Sequence, residues 1–251
     1  MNIVWDSRGV GRPLLLIHGL GYARWGWDPV VPRLAERYRV LTFDNRGIGE
    51  SDKPEGPYTA AEMARDALQV LGEAGAERAF VVGASLGGMI AQELAVAAPE
   101  RVEKLVLCCT TPGGPDAVPM PVRTVQLFTE APSLEPAVAL RRFVENGFGS
   151  SPPDGLVEDV YGRRMANPPD PAGWQSQAAA GMTFPGTAIE SIAVPTLVLH
   201  GTEDNVVDYR NAQLLAERIP GARVELFPGT GHLFFWEQPE AFIRIVTEFL
   251  G

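Results

Sequence analysis

Six short runs rich in β-branched and other apolar residues most limit how this chain can fold. They are Leu14–Ile17, Arg39–Phe43, Ala79–Val82, Lys104–Cys109, Thr196–His200 and Val224–Phe227. Each is nearly all apolar, the pattern of strands covered on both faces in a parallel sheet. Segments with helical spacing lie between them. In Ala60–Glu73, Met63, Ala67, Val70 and Leu71 share one face, with Glu62, Arg65, Asp66 and Gln69 opposite. Leu86–Ala98, Arg210–Ile219 and Pro239–Leu250 repeat the pattern. Strands alternating with helices predict an α/β fold with a doubly wound, mostly parallel sheet.

The alternation stops at Pro112 and resumes after Ile192. The interval is rich in Pro and Gly (Pro112-Gly113-Gly114-Pro115, Pro152-Pro153, Pro168-Pro169), with three weaker helical patterns near Leu134–Asn146, Gly155–Ala166 and Ala172–Met182. A structureless loop of that length does not fit a compact domain. A core built from residues 1–111 and 193–251, carrying a helical lid insertion over 112–192, is expected instead. The chain's 251 residues suit one such domain.

Gly83-Ala84-Ser85-Leu86-Gly87 follows the run Ala79–Val82 directly and opens a helical segment. A strand-to-helix turn this sharp strains its central residue and pushes the hydroxyl out at a helix N-terminus, where developing negative charge is favoured. Ser85 is therefore the candidate nucleophile. His18-Gly19-Leu20-Gly21 follows another strand, and its glycines allow close backbone approach. The N–H groups of Leu20 and Leu86 are the candidate oxyanion donors, each able to contribute ~3 kcal/mol in a transition state. Asp204, at the mouth of the Thr196–His200 strand, is the candidate acid, with Glu203 and Asp208 as rivals. Asp208 also reads as the N-cap of the next helix. His232 closes the Gly-rich stretch Pro228-Gly229-Thr230-Gly231 and is the candidate base. His18 and His200 read as packed residues with structural roles.

Together these residues resemble the α/β-hydrolase superfamily, whose chain order of nucleophile, acid and histidine they match. The resemblance spans nearly the whole chain outside the insertion, and includes Phe43-Asp44-Asn45-Arg46-Gly47-Ile48-Gly49-Glu50-Ser51, usually a structural loop in that family. Relatives such as haloalkane dehalogenases and epoxide hydrolases carry Asp where this chain has Ser85. Family members usually begin with an antiparallel hairpin. Only Ile3–Asp6 precedes the Gly9-Val10-Gly11 turn here, so the first edge strand is expected to be missing.

The resemblance implies a serine hydrolase that cleaves small carboxylic esters or lactones through an acyl-enzyme. The enol-lactonase and small-ester branches look most similar, and peptide cleavage ranks lower. Carbon–carbon bond hydrolysis and cofactor-free perhydrolysis would use the same triad, and a slow-turnover ligand receptor could keep the same fold. Phe148, Trp174, Met182 and Phe184 are the candidate apolar lid residues, suited equally to facing substrate and to packing the lid onto the helices below.

No cofactor is expected, because nucleophile, base and oxyanion donors are all protein groups. No metal is expected either, since no Cys/His cluster has ligand spacing. Cys108 and Cys109 are adjacent and point to opposite faces of an extended segment, which rules against a bridge between them. A net charge of −10 argues against nucleic acid and anionic membrane partners. The N-terminus lacks a basic segment followed by an apolar one, and no apolar run nears the ~20 residues of a membrane span. A cytoplasmic protein is expected.

Overall fold

In the computed structural model, which describes residues 1–251, all six apolar runs are strands of one sheet. The seven strands are β1 (Trp5–Arg8), β2 (Pro13–Ile17), β3 (Arg39–Phe43), β4 (Ala79–Ala84), β5 (Val102–Cys108), β6 (Thr196–Gly201) and β7 (Arg223–Phe227). Their order is β1-β3-β2-β4-β5-β6-β7, parallel throughout except for β1, which pairs antiparallel with β3. The segment before the Gly9-Val10-Gly11 turn thus supplies a single antiparallel strand, not a hairpin, and β1 is one edge of the sheet, with β7 the other.

Ten α-helices connect the strands. They are α1 (Val31–Leu34), α2 (Ala60–Glu73), α3 (Leu86–Ala97), α4 (Val122–Glu130), α5 (Pro136–Asn146), α6 (Leu156–Ala166), α7 (Pro171–Met182), α8 (Arg210–Arg218), α9 (Phe234–Glu237) and α10 (Pro239–Leu250). The two-residue period of the strands divides the core between the two faces of the sheet. Leu15, Ile17, Leu41, Val81, Leu105 and Val198 face α2, α3 and α8, against Met63, Val70, Ile90, Leu94 and Leu215. Leu14, Leu16, Val40, Phe80, Val82, Val106 and Leu199 face α1, α9 and α10, against Leu34, Phe234, Phe242 and Val246. Burying each such side chain stabilises the fold by roughly 1.5–3 kcal/mol before conformational entropy is counted. Helix α2 starts where Thr59 and Glu62 form a reciprocal capping box.

Strand β2 is followed outward by β3 on one side, and β4 then crosses to its other side. The chain reverses its direction of winding between β2 and β4, and open α/β sheets place ligand sites at such a switch point. Register brings Ile17 beside Gly83, so the turns after β2 and β4 leave the sheet side by side.

The interval between β5 and β6 carries four α-helices, one more than its spacing predicts. The additional helix is α4. Its Val122 and Val125 are 71% and 49% exposed while Thr124 and Leu127 are buried, so its valines do not mark its buried face. Helix α7 opens at Asp170, whose carboxylate accepts the Gly173 N–H at 2.8 Å.

Candidate active site

Ser85 joins β4 to α3 with φ 57° and ψ −122°, a conformation that costs a residue with a Cβ about 1–3 kcal/mol. The surroundings hold it there. Its N–H donates to the Cys108 carbonyl at 2.9 Å, and its own carbonyl accepts from Gly88 N–H and the Thr110 hydroxyl, both at 2.8 Å. The glycines are required by space: a Cβ at Gly83 would lie 2.3 Å from the Gly87 carbonyl oxygen, and one at Gly87 2.0 Å from that of Ile17. Helix α3 begins immediately after Ser85, so the Leu86 N–H belongs to a first turn without intrahelical partners.

The second turn runs against the first. A Cβ on Gly19 would meet the Ser85 Cβ at 2.8 Å and its hydroxyl oxygen at 3.3 Å, so only glycine lets the turn after β2 lie this close to Ser85. His18 is buried, and burial holds its imidazole down to about 3, so the ring is neutral. Its Nδ1 accepts the Gly19 N–H at 2.8 Å and its face stacks on Tyr22, while its carbonyl accepts from the Asn45 amide at 2.9 Å. The Asp44–Ser51 stretch is bound in turn through Asp44, which accepts the N–H groups of Arg24 and Glu50. This stretch braces the turn from behind.

Helices from the interval between β5 and β6 reach the same turn. Gly21 has φ +73°; its N–H donates to Gln177 Oε1 at 3.1 Å and its carbonyl accepts from Arg164. Gln177 Nε2 then donates to the Arg46 carbonyl at 2.8 Å, and Trp174 fills the space a Gly21 Cβ would need. Nothing in the local sequence marks these contacts; they join residues more than 130 positions apart.

Asp204 lies on the turn after β6. Its Oδ1 accepts the N–H groups of Val206 and Val207 at 2.7 and 2.9 Å, and its Oδ2 lies 2.7 Å from His232 Nδ1. Burial opposes the Asp204 charge, but His232 and the donors around it prevail and hold the carboxyl well below its usual range. Burial likewise opposes an imidazolium at His232. The adjacent Asp204 carboxylate overrides it and raises the pKa well above the ordinary value. The two rival acids sit elsewhere: Glu203 accepts the Ser150 N–H, and Asp208 pairs with Arg210.

The loop bearing His232 is pinned on both sides. Gly231 N–H donates to Glu237 at 2.7 Å, and Leu233 N–H donates to the Gly147 carbonyl at 2.8 Å. With Nδ1 engaged by Asp204, Nε2 is the ring nitrogen free to act on a hydroxyl. Ser85 and His232 line the same cavity, although no hydrogen bond joins them in this structure. Such contacts are often long until substrate draws them together. Cys109, which also has positive φ (41°), brings its thiol into contact with His232, and burial pushes that thiol up to about 11.

The cavity measures about 730 Å³ and is walled on one side by the sheet turns and on the other by α4, α5 and α7. Phe128, Leu140, Phe143 and Trp174 form its apolar wall. Met182 lines the mouth and is 73% exposed. Two expectations require correction. Phe148 and Phe184 do not face the cavity: Phe148 is buried in the core, its backbone against Gly231, and the Phe184 ring fills space that Gly113 leaves open. Arg164 was not anticipated. It is the one Asp, Glu, Lys or Arg lining the cavity, is 6% exposed, and stacks over Tyr22 with no carboxylate partner. No three His, Cys, Asp or Glu side chains converge as a metal site, and no helix is long and apolar enough to cross a membrane.

With the two turns, the acid–histidine pair and the strand order described, comparison with known proteins decides the family. The family model described as alpha/beta hydrolase fold matches residues 12–239. The chain belongs to that family. A 2-hydroxy-6-oxononadienedioate/2-hydroxy-6-oxononatrienedioate hydrolase from Cupriavidus pinatubonensis is 32% identical, over 98% of this chain and 89% of its own length. A thermophilic esterase from Thermogutta terrifontis superposes with a TM-score of 0.83 at 26% identity, covering 99% of this chain and 92% of that one. Est816, described as an N-acyl homoserine lactone degrading enzyme, gives a TM-score of 0.83 at 28% identity, covering 98% and 96%. Relatives at 26–32% identity are thus named for different substrates.

Proposed function

We propose that this chain is a serine hydrolase of small carboxylic esters or lactones, with Ser85 as nucleophile, His232 as base and Asp204 as its orienting acid. One observation carries the reading: a strained Ser85 opens onto the same cavity as a histidine whose Nδ1 is held by a buried carboxylate. His232 Nε2 takes the Ser85 proton as Oγ bonds to the carbonyl carbon. The tetrahedral oxyanion is held by the Leu20 and Leu86 N–H groups. His232 passes the proton to the departing alcohol oxygen, then takes one from water as its oxygen attacks the acyl carbon, and returns it to Ser85 Oγ as the acyl–Oγ bond breaks and the acid leaves. The helices of residues 112–192 serve as the lid that shapes the acyl pocket. The cavity's size and apolar wall suit an uncharged acyl or lactone group, and similarity to the esterase and to Est816 supports that class.

One observation favours a second reading. Arg164 is a buried cation without a counter-ion, and a carboxylate on the substrate would supply one. The Cupriavidus relative acts, by its name, on dienedioates, so carbon–carbon cleavage of an acidic substrate is the alternative. The test is steady-state turnover of a panel holding p-nitrophenyl acetate, short lactones and half-esters of dicarboxylic acids. Ser85→Ala is expected to lower ester turnover by at least about a thousandfold, and unchanged turnover discards the assignment. A marked preference for half-esters favours the acidic-substrate reading. A single burst without further turnover favours a receptor.

A further inference from the structure

We infer that His200, a buried histidine outside the Ser85–His232–Asp204 set, is a positioning residue that tempers the basicity of His232 by donating to the same carboxylate oxygen. The inference deepens the hydrolase reading and rests on His232 being its base.

His200 is the penultimate residue of β6, wholly buried and in register with Leu226. Its Nε2 lies 3.0 Å from Asp204 Oδ2 and 3.0 Å from the Val207 carbonyl oxygen. Both neighbours can only accept, so Nε2 carries a hydrogen. Nδ1 is buried and has no partner, so nothing else orients the ring. The Val207 carbonyl and the Asp204 carboxylate fix it together.

Four donors therefore meet one carboxylate. Oδ1 is taken by the Val206 and Val207 N–H groups, and Oδ2 is divided between His232 Nδ1 at 2.7 Å and His200 Nε2 at 3.0 Å. Hydrogen bonds to the charged form favour it, and each one spends part of the charge that would otherwise face its neighbour. Removing the His200 donor leaves Oδ2 to His232 alone. Its imidazolium is then better stabilised, and the unprotonated base forms only at higher pH.

The other ionisable groups around the cluster are known. Cys109 faces His232 from the end of β5 and His18 from the turn after β2, with Arg164 beyond His18. Glu237 of α9 and the neighbouring Glu203 approach from the histidine loop, and Asp208 faces His200. A substitution at His200 leaves the composition of this surrounding set intact, so a displaced titration reports the lost donor.

The sign is set by the chemistry. A base must be unprotonated, so the ascending limb of kcat/KM follows the His232 titration in free enzyme. In the wild type that limb is expected above pH 6.5, because the Asp204 carboxylate raises His232. In His200→Met, which fills the site without a donor, it is expected to move up by about one further pH unit, making kcat/KM about tenfold lower on the limb. His200→Gln, whose amide N–H can reach Oδ2, is expected to return the limb toward the wild-type position. A fall that is uniform across pH, with the limb unmoved, overturns the inference and leaves His200 a packing residue. NMR on the wild-type protein guards against a variant that fails to fold. Imidazole 15N–1H correlations should place a proton on His200 Nε2, and a bare Nε2 overturns the inference as well. Titrating the His232 ring by NMR in both variants reads the coupling without turnover. A lost ester activity and a lost coupling are thus told apart.

Discussion

The β4–Ser85–α3 turn and the four helices between β5 and β6 line opposite sides of one cavity and are built by different rules. At the turn almost no substitution fits. β4 is buried along its whole length, and the glycines flanking Ser85 lie against backbone atoms at distances no Cβ can occupy. The inserted helices instead turn Val122, Val125, Val138 and Met182 outward and contribute Phe128, Phe143 and Trp174 to the wall. One region spends its sequence on holding a strained backbone and the other on the shape of a space. They are not independent, however. Gln177 and Arg164 bond both peptide groups of Gly21, so the insertion holds the turn from which Leu20 N–H projects.

The contrast can be tested at both ends. Leu15, wholly buried on β2 between β3 and β4, belongs to the rigid side. Leu15→Ala is expected to cost about 2–5 kcal/mol of stability in denaturant titrations while leaving preference among acyl groups unchanged. A change in preference would show that the core also shapes the pocket. Gln177→Leu tests the link between the regions. It removes the acceptor for Gly21 N–H and the donor to the Arg46 carbonyl, so kcat is expected to fall about tenfold with little change in KM, since a displaced oxyanion donor weakens transition-state binding most. A rise in KM alone would place Gln177 in the substrate wall and uncouple the two regions. The smallest effect is expected at the outer surface of the insertion. Val125→Lys, on the exposed face of α4, should change stability by no more than about 0.5 kcal/mol. A larger loss would mean that this face is covered in solution.

The same contrast governs what could be read in advance. Five of the six strands and the helices that cover them follow from residue order, because a strand buried on both faces must be apolar at every position, whereas the edge strand β7 is half-exposed. The elbow was legible for a related reason: glycine on both sides of a serine, after a strand and before a helix, is a backbone requirement written locally. The insertion was less legible. Helix α4 leaves no clear pattern because its valines face outward, and of the four apolar lid candidates Phe148 and Phe184 do not reach the cavity. An aromatic residue on a loop is equally suited to a cavity wall or to the space over a distant glycine. Gly113 provides that space for Phe184.

Sequence by itself determined the layered α/β architecture, the chemical types placed at 85, 204 and 232, and the turns that carry them. Those properties depend on local backbone geometry and on periodicity along the chain. Only tertiary structure decided which walls face the cavity, that Arg164 and Gln177 hold the turn at Gly21, and that two histidines share one oxygen of Asp204. These depend on distances between residues far apart in the chain or on a non-helical turn, and no periodicity records such distances. A buried polar atom must find a partner, but the sequence alone does not say which one.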